Sequence, residues 1–380
     1  MIGLKYWLGA EAAVAAAVVL VAGPAASGWT VISVPPAGQT ATLNGVSADS
    51  ATDAWAVGQA GSGFNTRPLA DHWTGKSWQQ VFVPGAGRPT VTLTVVSAAS
   101  STDAWAVGRL LFYGNFSVGY HWDGTAWTEH DAGLSQAFGG VADVGPGNAW
   151  AAGSFLDRWD GTSWTGQPYP HPGNPGTATG FFLGAVAANG GSDIWVTGAY
   201  NTSASCATAC EQTFALHFDG TSWHLVPMPP VDRGTDPNLE YVLTSAAVIS
   251  PSDVWAAGYT RDASSLTPLH TLIEHWDGTR WSVVPAPSPG TATALTGITA
   301  SSPANVWAVG SDTPAGAPGP QTLTLLWNGT SWATVPSPHP GSSSALTAVS
   351  ATPGGGPIWA VGSDTPAGSS QSAPLALRNG

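Results

Sequence analysis

Residues 104–108, AWAVG, and 120–127, YHWDGTAW, belong to one unit that the chain writes seven times. The first motif returns around Trp55, Trp105, Trp150, Trp195, Trp255, Trp307 and Trp359, at spacings of 50, 45, 45, 60, 52 and 52 residues. Twelve residues before each of these tryptophans, thirteen in the last copy, stands Leu43, Leu93, Phe138, Leu183, Leu243, Leu295 or Leu346. Downstream comes an Xaa-Gly pair: Thr74-Gly75, Asp123-Gly124, Asp160-Gly161, Asp219-Gly220, Asp277-Gly278, Asn328-Gly329 and Asn379-Gly380. Three residues after the first six of these glycines come Trp78, Trp127, Trp164, Trp223, Trp281 and Trp332. Asp-Gly and Asn-Gly suit a two-residue hairpin whose central positions both take positive φ. Each unit therefore reads as four short strands, as in LNGVSA (43–48), AWAVG (54–58), LADHW (69–73) and SWQQVFV (77–83).

A period of 45 to 60 residues with four strands per unit predicts β-propeller blades. A linear array would need polar capping repeats, and none is visible. The seventh copy stops at ALRNG (376–380) without a fourth strand, while GWTVISVPP (28–36) matches the fourth strands and has no blade before it. The expected fold is all-β: a single seven-bladed propeller over residues 28–380. Its N-terminal strand, about residues 29–35, completes the C-terminal blade and leaves no open sheet edge.

Only 9% of the side chains are charged and the formal net charge is -13, with no basic stripe to displace counterions from phosphates. That excludes nucleic acid as a partner and an anionic membrane surface. Residues 1–27 carry an apolar run from Ala12 to Gly23 followed by small residues. The run is shorter than the roughly 20 residues a spanning helix needs and has the form of a secretory signal peptide cut before Gly28; a retained anchor or a mis-assigned start are the alternatives. Cys206 and Cys210 stand four apart in SASCATACEQ, and in an exported chain such a pair is expected to form a small loop disulfide. Two cysteines are too few ligands for zinc. No metal or cofactor is expected, nor any obligate oligomer.

Nineteen of the 20 tryptophans occupy three repeated positions. Burying one indole, roughly 150–250 Å² at ~25 cal/mol/Å², is worth about 4–6 kcal/mol as an upper bound. A residue placed once per blade at that scale is expected to pack blade against blade rather than stack on sugar. His72, His121, His217 and His275, one before the third-strand aromatic, are expected to pack or face solvent. The Asp or Asn two residues before the second-strand tryptophan (Asp53, Asp103, Asn148, Asp193, Asp253, Asn305) is expected to cap a turn.

The repeats resemble the WAVG…HWDGTSW propeller repeats of secreted bacterial proteins. They are more distantly similar to sialidase-type and photosystem-assembly-factor propellers. The resemblance covers about residues 28–380 and implies the fold rather than an activity. The sialidase Asp-box has Ser-x-Asp-x-Gly-x-x-Trp, whereas Asp and Gly are adjacent here. Kelch double glycines do not recur, and no cysteine is placed for a galactose-oxidase-like cross-link.

Function is expected on the face where second-to-third loops and blade-to-blade loops meet, because loops vary on a fixed scaffold. From the WAVG-type glycine to the residue before the turn, the spans are 15, 14, 6, 20, 18, 17 and 16 residues, which gives a low wall at blade 3 beside a high rim at blades 4 and 5. Around that rim gather Tyr169, His171, Tyr200, Asn201, Asp232, Arg233, Glu240, Tyr241, Tyr259, Arg261 and Asp262, with Glu211 and Asp236 beside them. Tyrosine and arginine suit binding interfaces. The sequence thus favours a non-catalytic scaffold for a glycan, a cell-wall polymer or an extracellular protein, with no catalytic residue assigned. The alternative is an extracellular glycoside hydrolase or lyase in which Glu211 or Glu240 pairs with Asp232, Asp236 or Asp262.

Overall fold

The computed structural model describes residues 28–380 apart from 38–39, 86–89, 111–116, 131–137, 173–177, 203–210, 233, 235, 237 and 265–266. Residues 1–27, expected to be a signal peptide, and Cys206 and Cys210, expected to form a disulfide, lie outside the described residues. Seven four-stranded antiparallel sheets form a ring, a seven-bladed all-β propeller in which the one helical element among the described residues is the 3-10 turn Gly63–Asn65. In blade 5 the strands run Leu239–Ser250, Asp253–Asp262, Pro268–Trp276 and Trp281–Val283, from the central channel outward. Blade 3 is the shortest: its second and third strands, Ala149–Ala152 and Leu156–Trp159, are joined by a tight turn in which the Gly153 amide donates to the Phe155 carbonyl at 2.9 Å.

The ring closes as the sequence implies. Thr30 pairs with Arg378 and Val31 with Leu377, and the Ile32 amide donates to the Ala376 carbonyl at 2.9 Å. This register reproduces the covalent hairpin of blade 5, where His275 faces Ser282 and Glu274 faces Val283. One detail differs from expectation. Arg378 pairs with Trp359 as His275 pairs with Trp255, so Asn379 ends the third strand in the place of the usual aromatic residue rather than opening a turn.

Each second-strand tryptophan is 0–3% exposed and lies under aromatic residues of the following blade. Trp55 meets Trp122 and Trp127 at 4.8 and 4.9 Å, and across the last seam Trp359 meets Trp73 and Trp78 at 4.8 and 5.1 Å. Trp29, brought from the N-terminal side, stands edge-on to Trp307 at 5.3 Å. The tryptophans are thus inter-blade packing, joined edge to face as ring quadrupoles prefer.

The histidines add to these stacks. His72 lies flat on Trp55, with an interplanar angle of 8°, and the same arrangement joins His121 to Trp105, His217 to Trp195 and His275 to Trp255. Each imidazole also bonds the aspartate expected to cap a turn, at 2.7–3.0 Å: Asp53, Asp103, Asp193 and Asp253. Those aspartates are partners of the third strand, across the sheet. Where Arg158 replaces histidine, Asn148 replaces aspartate and accepts from Nε at 3.1 Å, so the two positions change together.

The third-to-fourth turn also differs from the sequence expectation. Trp122 pairs with Trp127 and the Asp123 amide donates to the Ala126 carbonyl, which makes Gly124 and Thr125 the central residues. Only the glycine takes positive φ, 91°, the pattern of a hairpin with glycine at its first central position. The Asp123 carboxylate accepts from the Thr125 and Ala126 amides and the Thr125 hydroxyl, and these bonds lower its pKa to about 2.

The inner strands of six blades carry a bulge just after the repeated leucine, as between Leu243 and Ser245, and Gly258 sits opposite it. A Cβ on Gly258 would overlap the Val242 carbonyl oxygen, which explains the glycine of WAVG. At the bulges side chains stitch neighbouring blades. Asn44 donates to the Leu93 carbonyl at 2.8 Å, Thr296 to Leu346 at 2.8 Å, and Thr347 to Leu43 at 2.7 Å, the last across the closing seam. Together the inner strands enclose a channel cavity of about 270 Å³ lined by small and neutral residues such as Gly45, Thr94, Gly140 and Ala185.

Candidate ligand-binding face

The expected rim residues separate into four groups. First is an aromatic row on blade 4. Tyr169 and His171 lie in the segment that enters the first strand, Ala178–Ala188, and Tyr200 lies near the end of the second, Ile194–Thr202. Tyr169 meets His171 at 4.6 Å, His171 meets Phe181 at 4.8 Å, and Phe181 stacks on Tyr200 at 6.4 Å with 16° between planes. Tyr200 is held from behind by Phe214 at 6.0 Å. Burial raises the pKa of the Tyr169 phenol, so it stays a neutral hydrogen-bonding group.

Second is an ion cluster that ties blade 4 to blade 5. Arg261 donates from Nε to Glu240 at 2.8 Å and from a terminal amino group to Glu211 at 3.0 Å. Glu240 and Arg261 are direct cross-strand partners, while Glu211 faces Asn201 in the other blade. Burial raises the Glu211 pKa, and the nearby Glu240 charge adds to that against the pull of Arg261. One guanidinium thus holds both carboxylates, which ties each to Arg261 rather than to Asp232, Asp236 or Asp262 as one half of a glycosidase pair with carboxylates roughly 5–10 Å apart. Tyr259 lies on the same strand, two residues before Arg261.

Third are loop-shaping aspartates. Asp232 accepts from the Gly234 amide at 3.1 Å, Asp236 from Asn238 at 2.9 Å, and Asp262 from the Ser264 amide and hydroxyl at 2.7 and 2.6 Å. Their oxygens fix turns, as Asx motifs do. Fourth is Tyr241, which is buried between blades 4 and 5; its hydroxyl accepts from the Asp232 amide at 3.3 Å, so it braces the loop from below. Asn201 is exposed beside the row, and Arg233 lies outside the described residues.

Sequence reasoning missed the phenylalanines. Phe181 links His171 to Tyr200, while Phe155 and Phe182 are 54% and 50% exposed. The Leu183 amide donates to the Gly153 carbonyl at 2.9 Å, which sets the Phe155 turn of the low blade 3 wall beside the Phe181-Phe182 stretch. The signal was available: in the two positions before the first-strand leucine, blade 4 has Phe-Phe where blade 1 has Ala-Thr and blade 7 has Ser-Ala. Among the described residues, no group of three or more His, Cys, Asp or Glu side chains is placed to hold a metal ion.

No family model matches the chain, and no curated protein matches it. Solved structures match it throughout. A structure of YCF48 bound to D1 peptide is 15% identical with a TM-score of 0.54, covering 93% of this chain and 99% of that one. A PL25 ulvan lyase is 9% identical with a TM-score of 0.59, covering 90% and 94%. The GH74 xyloglucanase of Xanthomonas campestris is 15% identical with a TM-score of 0.54; 88% of this chain aligns with 53% of that longer one. At such identities the likeness is one of fold, and a peptide-bound protein, a lyase and a hydrolase share it: the chain is a seven-bladed propeller, and its activity has to be argued from its own side chains.

Proposed function

We propose that the chain is a secreted, non-catalytic propeller that binds a glycan, a cell-wall polymer or an extracellular protein on the loop face centred on blades 4 and 5. The observation that carries this reading is the aromatic row Tyr169–His171–Phe181–Tyr200, bordered by the exposed Phe155 and Phe182. Aromatic side chains bring large contact area at low conformational cost and have polar tips for hydrogen bonds. Phe181 and Tyr200 stand on strands of blade 4, so little ordering is lost at that half of the row on binding. The alternative of a hydrolase or lyase on the same face is less well supported. Glu211 and Glu240 are consumed by Arg261, and Asp232, Asp236 and Asp262 by loop amides.

The test is a binding screen of the mature chain against glycans, cell-wall polymers and extracellular proteins, with Tyr200→Ala and Phe182→Ala in parallel. The wild type binds a member of the panel, and each variant loses on the order of ten-fold in affinity or more with an unchanged melting temperature. Turnover of a bound polysaccharide, or equal binding by both variants, would refute the reading.

A further inference from the structure

We propose that the cleft between the outer strands of blades 3 and 4 is a second site, which binds a hexuronate residue of an acidic polysaccharide through Arg158. At five of the seven seams the second-strand tryptophan lies under two tryptophans of the next blade; here Trp150 lies under Phe218 and Trp223, at 5.1 and 5.2 Å. The smaller ring, together with an arginine in the histidine position, leaves a cleft of about 520 Å³ lined by Arg158, Gln167, Tyr169, Phe218, Thr221 and Trp223 above Trp150. That volume suits a small-ligand cleft, typically ~300–1,000 Å³. Trp223 is partly exposed in it, as is Trp164 of blade 3, whereas Trp78, Trp127, Trp281 and Trp332 are 2–6% exposed.

The charge in the cleft is of one sign. Arg158 is pinned by its Nε bond to Asn148 at 3.1 Å and lies 5.3 Å from the Trp150 ring centre. Among the described residues its two terminal amino groups have no partner, and no carboxylate lines the cleft. Asp219 in the adjoining turn is taken up by the Thr221 and Ser222 amides and by His224 at 2.8 Å. Arginine alone does not make the cleft: Arg378 lies 5.6 Å from Trp359 in blade 7, but there Trp73 and Trp78 close the seam.

These groups fit a uronate better than a neutral sugar or a proline-rich segment. The paired terminal amino groups of a fixed guanidinium match a carboxylate. Tyr169 and Trp223 offer flat apolar surface to the C–H face of a pyranose ring, and Gln167 and Thr221 supply hydrogen bonds to its hydroxyls. A proline-rich peptide would use the aromatic surface and leave the arginine unmatched. The cleft shares only Tyr169 with the aromatic row, so the two sites can fail separately.

Calorimetric titration of the mature chain with trigalacturonate and with its methyl ester tests this. The acid binds about ten-fold more tightly than the ester. Phe218→Trp, which restores the regular tryptophan pair, abolishes binding while the melting temperature holds or rises. Arg158→Gln brings the acid down to the affinity of the ester, and it decides the matter alone if Phe218→Trp misfolds. No saturable binding at millimolar concentration, equal affinity for acid and ester, unchanged binding by Phe218→Trp, or tighter binding of a polyproline peptide would each overturn the proposal.

Discussion

Glu274→Gln should flatten the dependence of stability on pH. Glu274 lies in the third strand of blade 5 with no solvent exposure, and neither carboxyl oxygen has a hydrogen-bond partner in the structure. Burial raises its pKa from 4.5 to about 8. The folded state therefore keeps a proton that the unfolded chain releases above about pH 4.5, and stability falls as pH rises between those two values. One proton held only by the folded state corresponds to about 1.4 kcal/mol per pH unit. By pH 7 the accumulated loss is on the order of 3 kcal/mol, and it levels off above about pH 8. Glutamine keeps the shape and removes the titration. Its amide carries its own burial cost, so the slope is the diagnostic quantity rather than the offset. Chemical denaturation at pH 5, 6, 7 and 8 should give a wild-type stability that declines across the series, and a Glu274→Gln slope shallower by about 1.4 kcal/mol per unit. Parallel slopes would show that Glu274 is ionised or solvated in the folded protein and would refute the reasoning.

Three further outcomes follow from the same structure. Asp71, 0% exposed and raised by burial to about 7, should behave as Glu274 does, with Asp71→Asn removing the part of the decline that ends about one unit lower. Gly258→Ala should destabilise by about 3 kcal/mol or more, because the added Cβ overlaps the Val242 carbonyl oxygen; a melting temperature within a degree of wild type would disprove the bulge explanation. A double-mutant cycle on His121→Ala and Asp103→Ala should return a coupling of about 0.5–3 kcal/mol for their 2.7 Å contact, and additive losses would mean the two positions are independent.

The architecture was legible because all seven seams offer the second-strand residue nearly the same slot. Each slot asks for an indole, so Trp55 through Trp359 recur in register, and Trp29 could be assigned to the last blade by its likeness to Trp223 and Trp332. What the sequence hid depends on contacts across seams or on backbone geometry. Glu211 and Arg261 are 50 positions apart and meet only because blade 4 packs on blade 5. Asp71 and Glu274 sit in third strands, where alternation alone does not separate a buried carboxylate from an exposed one. The pairing of His72 with Asp53 required strand register, which local turn chemistry masked. Phe181 and Phe182 carry no polar group to mark them as an interface, and only their departure from the repeat sets them apart.

The most direct test of the proposed binding face is hydrogen exchange on residues 28–380, with and without the polymer or protein that the screen recovers. Added protection is expected over residues 169–172, 181–183, 198–201 and 258–262, with none at the third-to-fourth turns such as 123–126 or 277–280. Protection confined to those turns, or to the inner strands around the channel, would contradict it.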